Sequence, residues 1–157
     1  MTLKLSALDG DDLSVISAAC QDALVAVRDC AFFKDERRFV LLLNRFRWEA
    51  DPTIDAPYSR THSALVFNEV KAVRHHNIPL GEPDRMLELL AASLDGTDGD
   101  GARDGAREGA RRAASSVVTL RFAADRAIRL EIVRLACHLG DVGEPWPTPW
   151  KPAHPVD

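Results

Sequence analysis

Residues 38–48 read RFVLLLNRFRW, and this run decides the fold. Side chains alternate along a strand, so Val40, Leu42, Asn44, Phe46 and Trp48 share one face. Phe39, Leu41, Leu43, Arg45 and Arg47 share the other. The first half is apolar on both faces, as in a strand covered on two sides. The second half is apolar mainly on the even face, with the arginines opposite. Rings and guanidiniums are therefore expected on different faces, with Arg45 and Arg47 on a solvated side over an aromatic core.

Upstream, Leu24, Val25, Val27, Cys30, Phe32 and Phe33 form a second strand-prone stretch. The polar turn KDER at 34–37 joins the two, so a β-hairpin is expected. Further back, residues 2–8 read as a short strand. Asp9 then suits an N-cap, with Asp11 and Asp12 in the first turn where carboxylates favour the helix dipole. Leu13, Ile16 and Cys20 follow at helical spacing, which predicts a helix ending near Asp22.

Downstream, residues 52–60 carry turn formers and read as a loop. Residues 63–75 predict a strand, closed by the Pro79 and Gly81 region. The run at 86–94 has high helix propensity, but its place in a meander favours strand. Residues 116–123 alternate as a strand, a tight turn follows at 124–126, and residues 127–139 pair back. Between them lies GARD, GARE and GARR in tandem. Glycine in every unit cannot support a packed face, so a Gly/Ala/Arg loop is expected at 96–116. The chain closes in a Pro/Trp-rich tail at 144–157, whose prolines cannot continue a sheet. It is expected to fold back over apolar sheet surface or an edge strand of its own domain or of a second copy.

The fold expected is α+β: a β-rich antiparallel curved sheet or partly open barrel of about seven strands with one N-terminal helix. A doubly wound parallel sheet lacks the crossover helices it would need. The 157 residues make a single domain of ordinary size, spanning 1–157. A net charge of −4 weighs against a general nucleic-acid binder, which needs clustered Lys and Arg. No leader-like or membrane-spanning apolar run occurs in the sequence, so a cytoplasmic location is expected. The three cysteines, Cys20, Cys30 and Cys137, contain no CxxC pair and read as buried reduced thiols.

Three stretches, LKLSALDGDDLSVISAACQDA, ERRFVLLLNRFRWE and IRLEIVRLACHLGDVGEPW, carry a resemblance. The chain is similar to a family of small alphaproteobacterial proteins, a domain of unknown function. The resemblance implies a single bacterial, cytoplasmic domain and assigns no activity.

No catalytic constellation stands out. Cys137 and His138 are sequence neighbours and so fall on opposite faces of a strand. No GxSxG elbow, HExxH or zinc spacing occurs, and the glycines form no phosphate loop, so no metal or cofactor is expected. The favoured expectation is a non-enzymatic binding or scaffold domain, self-associating through a sheet edge or the tail, or holding an unknown protein. Its candidate binding residues are Arg45, Arg47, Arg74, His75, Trp146 and Trp150. One alternative is an enzyme using His75 or His76, His138 and Asp141. Another is an RNA-binding sheet built on the arginine-rich hairpin, with Arg74 and Trp48 nearby.

Overall fold

The structure is a computed structural model that describes residues 3–50, 58–95, 116–148 and 151–152. Most of the Gly/Ala/Arg segment, the 51–57 part of the loop and Trp150 lie outside the described residues. In chain order the elements are β1 (Lys4–Ala7), α1 (Gly10–Ala19), β2 (Ala23–Ala26), β3 (Cys30–Phe33), β4 (Arg38–Phe46) and β5 (Ser59–Phe67). Then follow β6 (Val70–His76), β7 (Met86–Asp95), β8 (Ser116–Phe122), β9 (Arg126–Ile132) and β10 (Cys137–Pro147).

All these strands join one antiparallel sheet in the order β1-β10-β5-β4-β2-β7-β8-β9-β6, with β3 paired to the start of β4. The first and last strands do not pair, so the sheet is open. Its inner face forms a single apolar core, with Leu41, Leu65, Leu89, Leu120, Leu130 and Leu139 all buried. Helix α1 adds Leu13 and Ile16 to that core and packs against β1 and β7. Asp9 caps it by accepting from the Asp12 amide at 2.8 Å. A bulge in β7 between Leu89 and Ala91 turns the Ala92 amide toward the helix, where it donates to Ser17 Oγ at 2.9 Å.

Among the described residues the antiparallel α+β class and the single α-helix are as expected, but the sheet has ten strands rather than about seven. Three expected strands each break in two. The 24–33 stretch bends at a 3-10 turn, Val27–Asp29, so β2 pairs with β7 while β3 pairs only with β4. The 63–75 stretch turns a corner at Glu69, whose φ is 61°, and β6 leaves β5 to pair with β9. The 127–139 stretch parts after Ile132, and the chain crosses back to lie between β1 and β5.

The tail also differs from expectation. Residues 144–147 continue β10 and pair with β5 as far as Pro147↔Ser59, past an irregularity between Val142 and Trp146. The prolines are tolerated because β1 ends at the Lys4↔Gly140 pair, leaving the far side of β10 as a free edge. Residues 86–95 are a strand, and the hairpins around residues 34–37 and 124–126 form as expected.

Candidate functional site

The odd face of β4 is the core face, and this corrects the placing of the arginines. Phe39, Leu41 and Leu43 lead inward, and Arg45 follows them with 0% exposure. Arg47 is also buried. An inward arginine needs charge partners, and the fold supplies them. The inner row next to Arg45 runs Asp141↔Ser63↔Leu43 across β10, β5 and β4. Arg45 Nη2 lies 2.9 Å from Asp141 Oδ1, and Nε donates to Ser63 Oγ at 2.9 Å. Beyond Phe46 the chain turns, because the Trp48 amide donates to the Phe46 carbonyl and the Ala50 amide to the Arg47 carbonyl. The turn brings Glu49 back to meet both Arg45 Nη atoms at 2.9 Å. Arg47 Nη1 donates to Ser59 Oγ at 2.9 Å.

Electrostatics follow that geometry. Burial by itself would lower the Arg45 pKa, but hydrogen bonds and charge from Glu49 and Asp141 hold it above its ordinary value. Burial likewise opposes ionisation of Asp141, whose side chain is 3% exposed. The Ser63 hydroxyl, the Leu3 amide and Arg45 outweigh it and keep that carboxyl below the usual range. Glu49 is lowered against the same desolvation, chiefly by Arg45. The cluster ties β4, β5 and β10 together, and Asp141 also fixes the start of the chain by accepting from the Leu3 amide at 2.9 Å. It is a neutralised structural clasp. Its guanidiniums are turned away from any base or phosphate at the surface.

The outer face of the same strands is different. One row across it reads Val142↔His62↔Asn44↔Leu24, from β10 through β5 and β4 to β2. Leu42 and Met86 flank the row, each 49% exposed, and Val142 is 48% exposed. The 3-10 turn at Val27–Asp29 pulls the β2–β3 strand away from the middle of β4 and leaves a groove of about 600 Å³ over Leu42. Leu24, Ala26, Leu42, Met86 and Val142 form its apolar lining, with Asn44, His62 and the turn residues Arg28 and Asp29. Arg60 donates to Asn44 Oδ1 at 2.6 Å and so fixes the amide orientation. The His62 ring lies 4.8 Å from that of Trp146. A concave, mostly apolar site with a few fixed polar groups is the usual make-up of a small-molecule pocket.

The other candidate residues scatter. Arg74 and His75 stand on β6, at the far end of the strand order from β4. They point to opposite faces, and burial lowers the His75 pKa. His138 is on the outer face of β10, while Asp141 faces the core and is held by Arg45. His75, His138 and Asp141 are therefore not brought together. Cys20, Cys30 and Cys137 are free thiols. Burial pushes Cys20 and Cys30 up to about 12 and raises Cys137 as well. Among the described residues no group of three or more His, Cys, Asp or Glu is placed to hold a metal. Sequence reasoning missed the groove because His62 and Asn44 sit on separate strands and the turn that opens it looks like ordinary strand sequence.

The open antiparallel sheet, its single helix and its outer-face groove define a β-rich α+β domain with a small-molecule-sized recess. The chain belongs to the family described as Protein of unknown function (DUF2948), whose model matches residues 3–154. No curated protein and no solved structure matches it. Among the described residues no helix is long and apolar enough to cross a membrane.

Proposed function

We propose that this protein is a non-enzymatic binding module of the bacterial cytoplasm that holds a small, uncharged amphipathic molecule in the outer-face groove. The observation that carries this reading is the half-exposed trio Leu42, Met86 and Val142 around the fixed amide of Asn44 and the imidazole of His62. Apolar surface of that kind is stabilised by covering it, and the two polar groups would orient the occupant. The raised thiol pKa values support a binding role over nucleophilic catalysis, because the thiolate is the reactive form. The three free thiols also suit a reducing compartment.

Self-association through a sheet edge fits less well. β1 has four residues, β6 carries Lys71, Arg74 and His75, and Pro145 and Pro147 interrupt the free rim of β10. Short, charged or proline-bearing edges resist strand addition.

The test uses N-phenyl-1-naphthylamine, a neutral ring compound with one N–H and an emission that rises in apolar surroundings. Saturable one-to-one binding to the full chain is expected, weakened at least tenfold by Leu42→Lys. That variant should keep stability within about 0.5 kcal/mol, because the side chain is half exposed. An unsaturable signal, or equal binding by the variant, would overturn the reading.

A further inference from the structure

The opposite half of the sheet carries a second feature that the groove does not involve. On the outer face of β6, β9 and β8, Arg74 lies directly opposite Arg129. Arg121 of β8 is opposite Ala127, one outward position from Arg129 and so diagonal to it. His76 is opposite Ala127 on the other side. Ala127 is short, so it forms the floor between longer neighbours. A cavity of about 380 Å³ opens there, lined by Arg121, Arg126, Arg129 and His76 together with Leu90, Phe122 and the turn residues Ala124 and Asp125, and Arg74 stands next to it, opposite Arg129.

Directly opposed side chains on antiparallel strands have Cβ atoms about 4.5–5.5 Å apart, and like charges in that position are destabilising. The usual remedy is a carboxylate between them. Asp95, Glu131 and Asp125 lie on or beside this face. None of them, and no other described residue, forms an ion pair or side-chain hydrogen bond with Arg74, Arg121 or Arg129. Asp95 instead accepts from Thr119, and Asp125 is 3.6 Å from His76. Elsewhere in the described structure several arginines of this acidic chain meet a carboxylate, Arg28 with Asp84, Arg45 with Asp141, Arg85 with Glu82 and Arg134 with Glu69, while Arg37 stands alone and not in a cluster of guanidiniums. Three unpaired guanidiniums on neighbouring strands are therefore a local arrangement and not a by-product of net charge, which is −4.

We propose that Arg74, Arg121 and Arg129 form an anion site for a small phosphorylated molecule. Guanidinium forks match phosphate oxygens in bidentate geometry, and a bound dianion would relieve the Arg74–Arg129 repulsion. Phosphate groups also occur along nucleic acids, but Phe122, the one phenyl ring among the described residues lining the recess, is buried, and only the His76 imidazole stands beside the arginines, so the exposed row of rings on which a single-strand binder stacks successive bases is missing.

The probe is inorganic pyrophosphate, titrated calorimetrically at low ionic strength into the full chain, its Arg129→Gln variant and a Lys71→Gln control. Sub-millimolar binding is expected for the full chain and the control, weakened at least tenfold by Arg129→Gln. Without pyrophosphate, Arg129→Gln should melt no lower than the full chain, since it removes a repulsion. A single-stranded oligoribonucleotide forms the second arm. Absence of pyrophosphate binding, equal binding by Arg129→Gln, or binding of the oligoribonucleotide alone would overturn the proposal.

Discussion

Arg45 shows how much one buried charge can organise. It is wholly buried and is held by Asp141, Glu49 and Ser63. Removing one partner of a buried pair leaves the other charge uncompensated, at a cost of about 3–5 kcal/mol. Arg45→Met and Asp141→Leu should each lower unfolding stability by that order in a denaturant titration. The double variant should lose less than the sum of the two, since apolar replacement of both partners removes the stranded charge. Full additivity would show that the pair does not act as a unit. Acid offers a second check. Asp141 and Glu49 are both held below their ordinary values, so the unfolded chain takes up protons first as pH falls. The stability they contribute is present above about pH 4 and is lost as pH drops through the lowered folded values. Asp141→Asn should flatten that acid limb of the stability profile; an unchanged limb would place the acid sensitivity elsewhere. The burial of Arg45 was not legible in the sequence. Strand alternation separated it correctly from Phe46, but arginine is almost never fully buried unless paired, and its partner Asp141 lies 96 residues away.

At the scale of elements, local signals told strand from helix well and told where strands end poorly. The tight turn at 124–126 was legible, and its geometry makes a further expectation. Ala124 and Asp125 have φ of 71° and 57°, two consecutive left-handed residues in the three-residue connection 123–125 between the paired Phe122 and Arg126. A non-glycine residue there costs roughly 1–2 kcal/mol, so Ala124→Gly should stabilise the protein by about 1 kcal/mol in thermal or chemical unfolding. A destabilised variant would show that the turn is held by contacts of the alanine methyl. The breaks at Val27–Asp29 and at Glu69 were not legible, because the two polar residues at each, Arg28-Asp29 and Asn68-Glu69, are flanked on both sides by apolar strand residues, and each break reflects a change of strand partner. The tail misled for a related reason: its prolines forbid a central strand, but they sit on a free rim. Ending the chain at Gly143 removes the Trp146↔Arg60 and Pro147↔Ser59 pairings and the ring contact with His62. A loss of about 2 kcal/mol is expected, within the usual range for losing one packed contact set.

The whole molecule is an open ten-stranded sheet with its charge clasp inside, an apolar groove on the outer face of one half and unpaired arginines on the outer face of the other. The class of fold was legible from alternation and from the scarcity of helices. The groove was not, because it forms only when Met86 of β7 and Val142 of β10, far along the chain, are brought beside β4, β5 and the bent β2–β3 segment. With blunted edges the full chain should run as a 17.3 kDa monomer in light scattering. A dimer that becomes monomeric on truncation at Gly143 would instead make the tail an interface. The most direct test of the binding-module reading is backbone amide shift mapping with N-phenyl-1-naphthylamine on labelled protein. The expected result is saturable shifts confined to the amides around Leu24, Leu42, Asn44, His62 and Val142. Shifts spread through the core, shifts centred on β6 and β9, or none at all would contradict it.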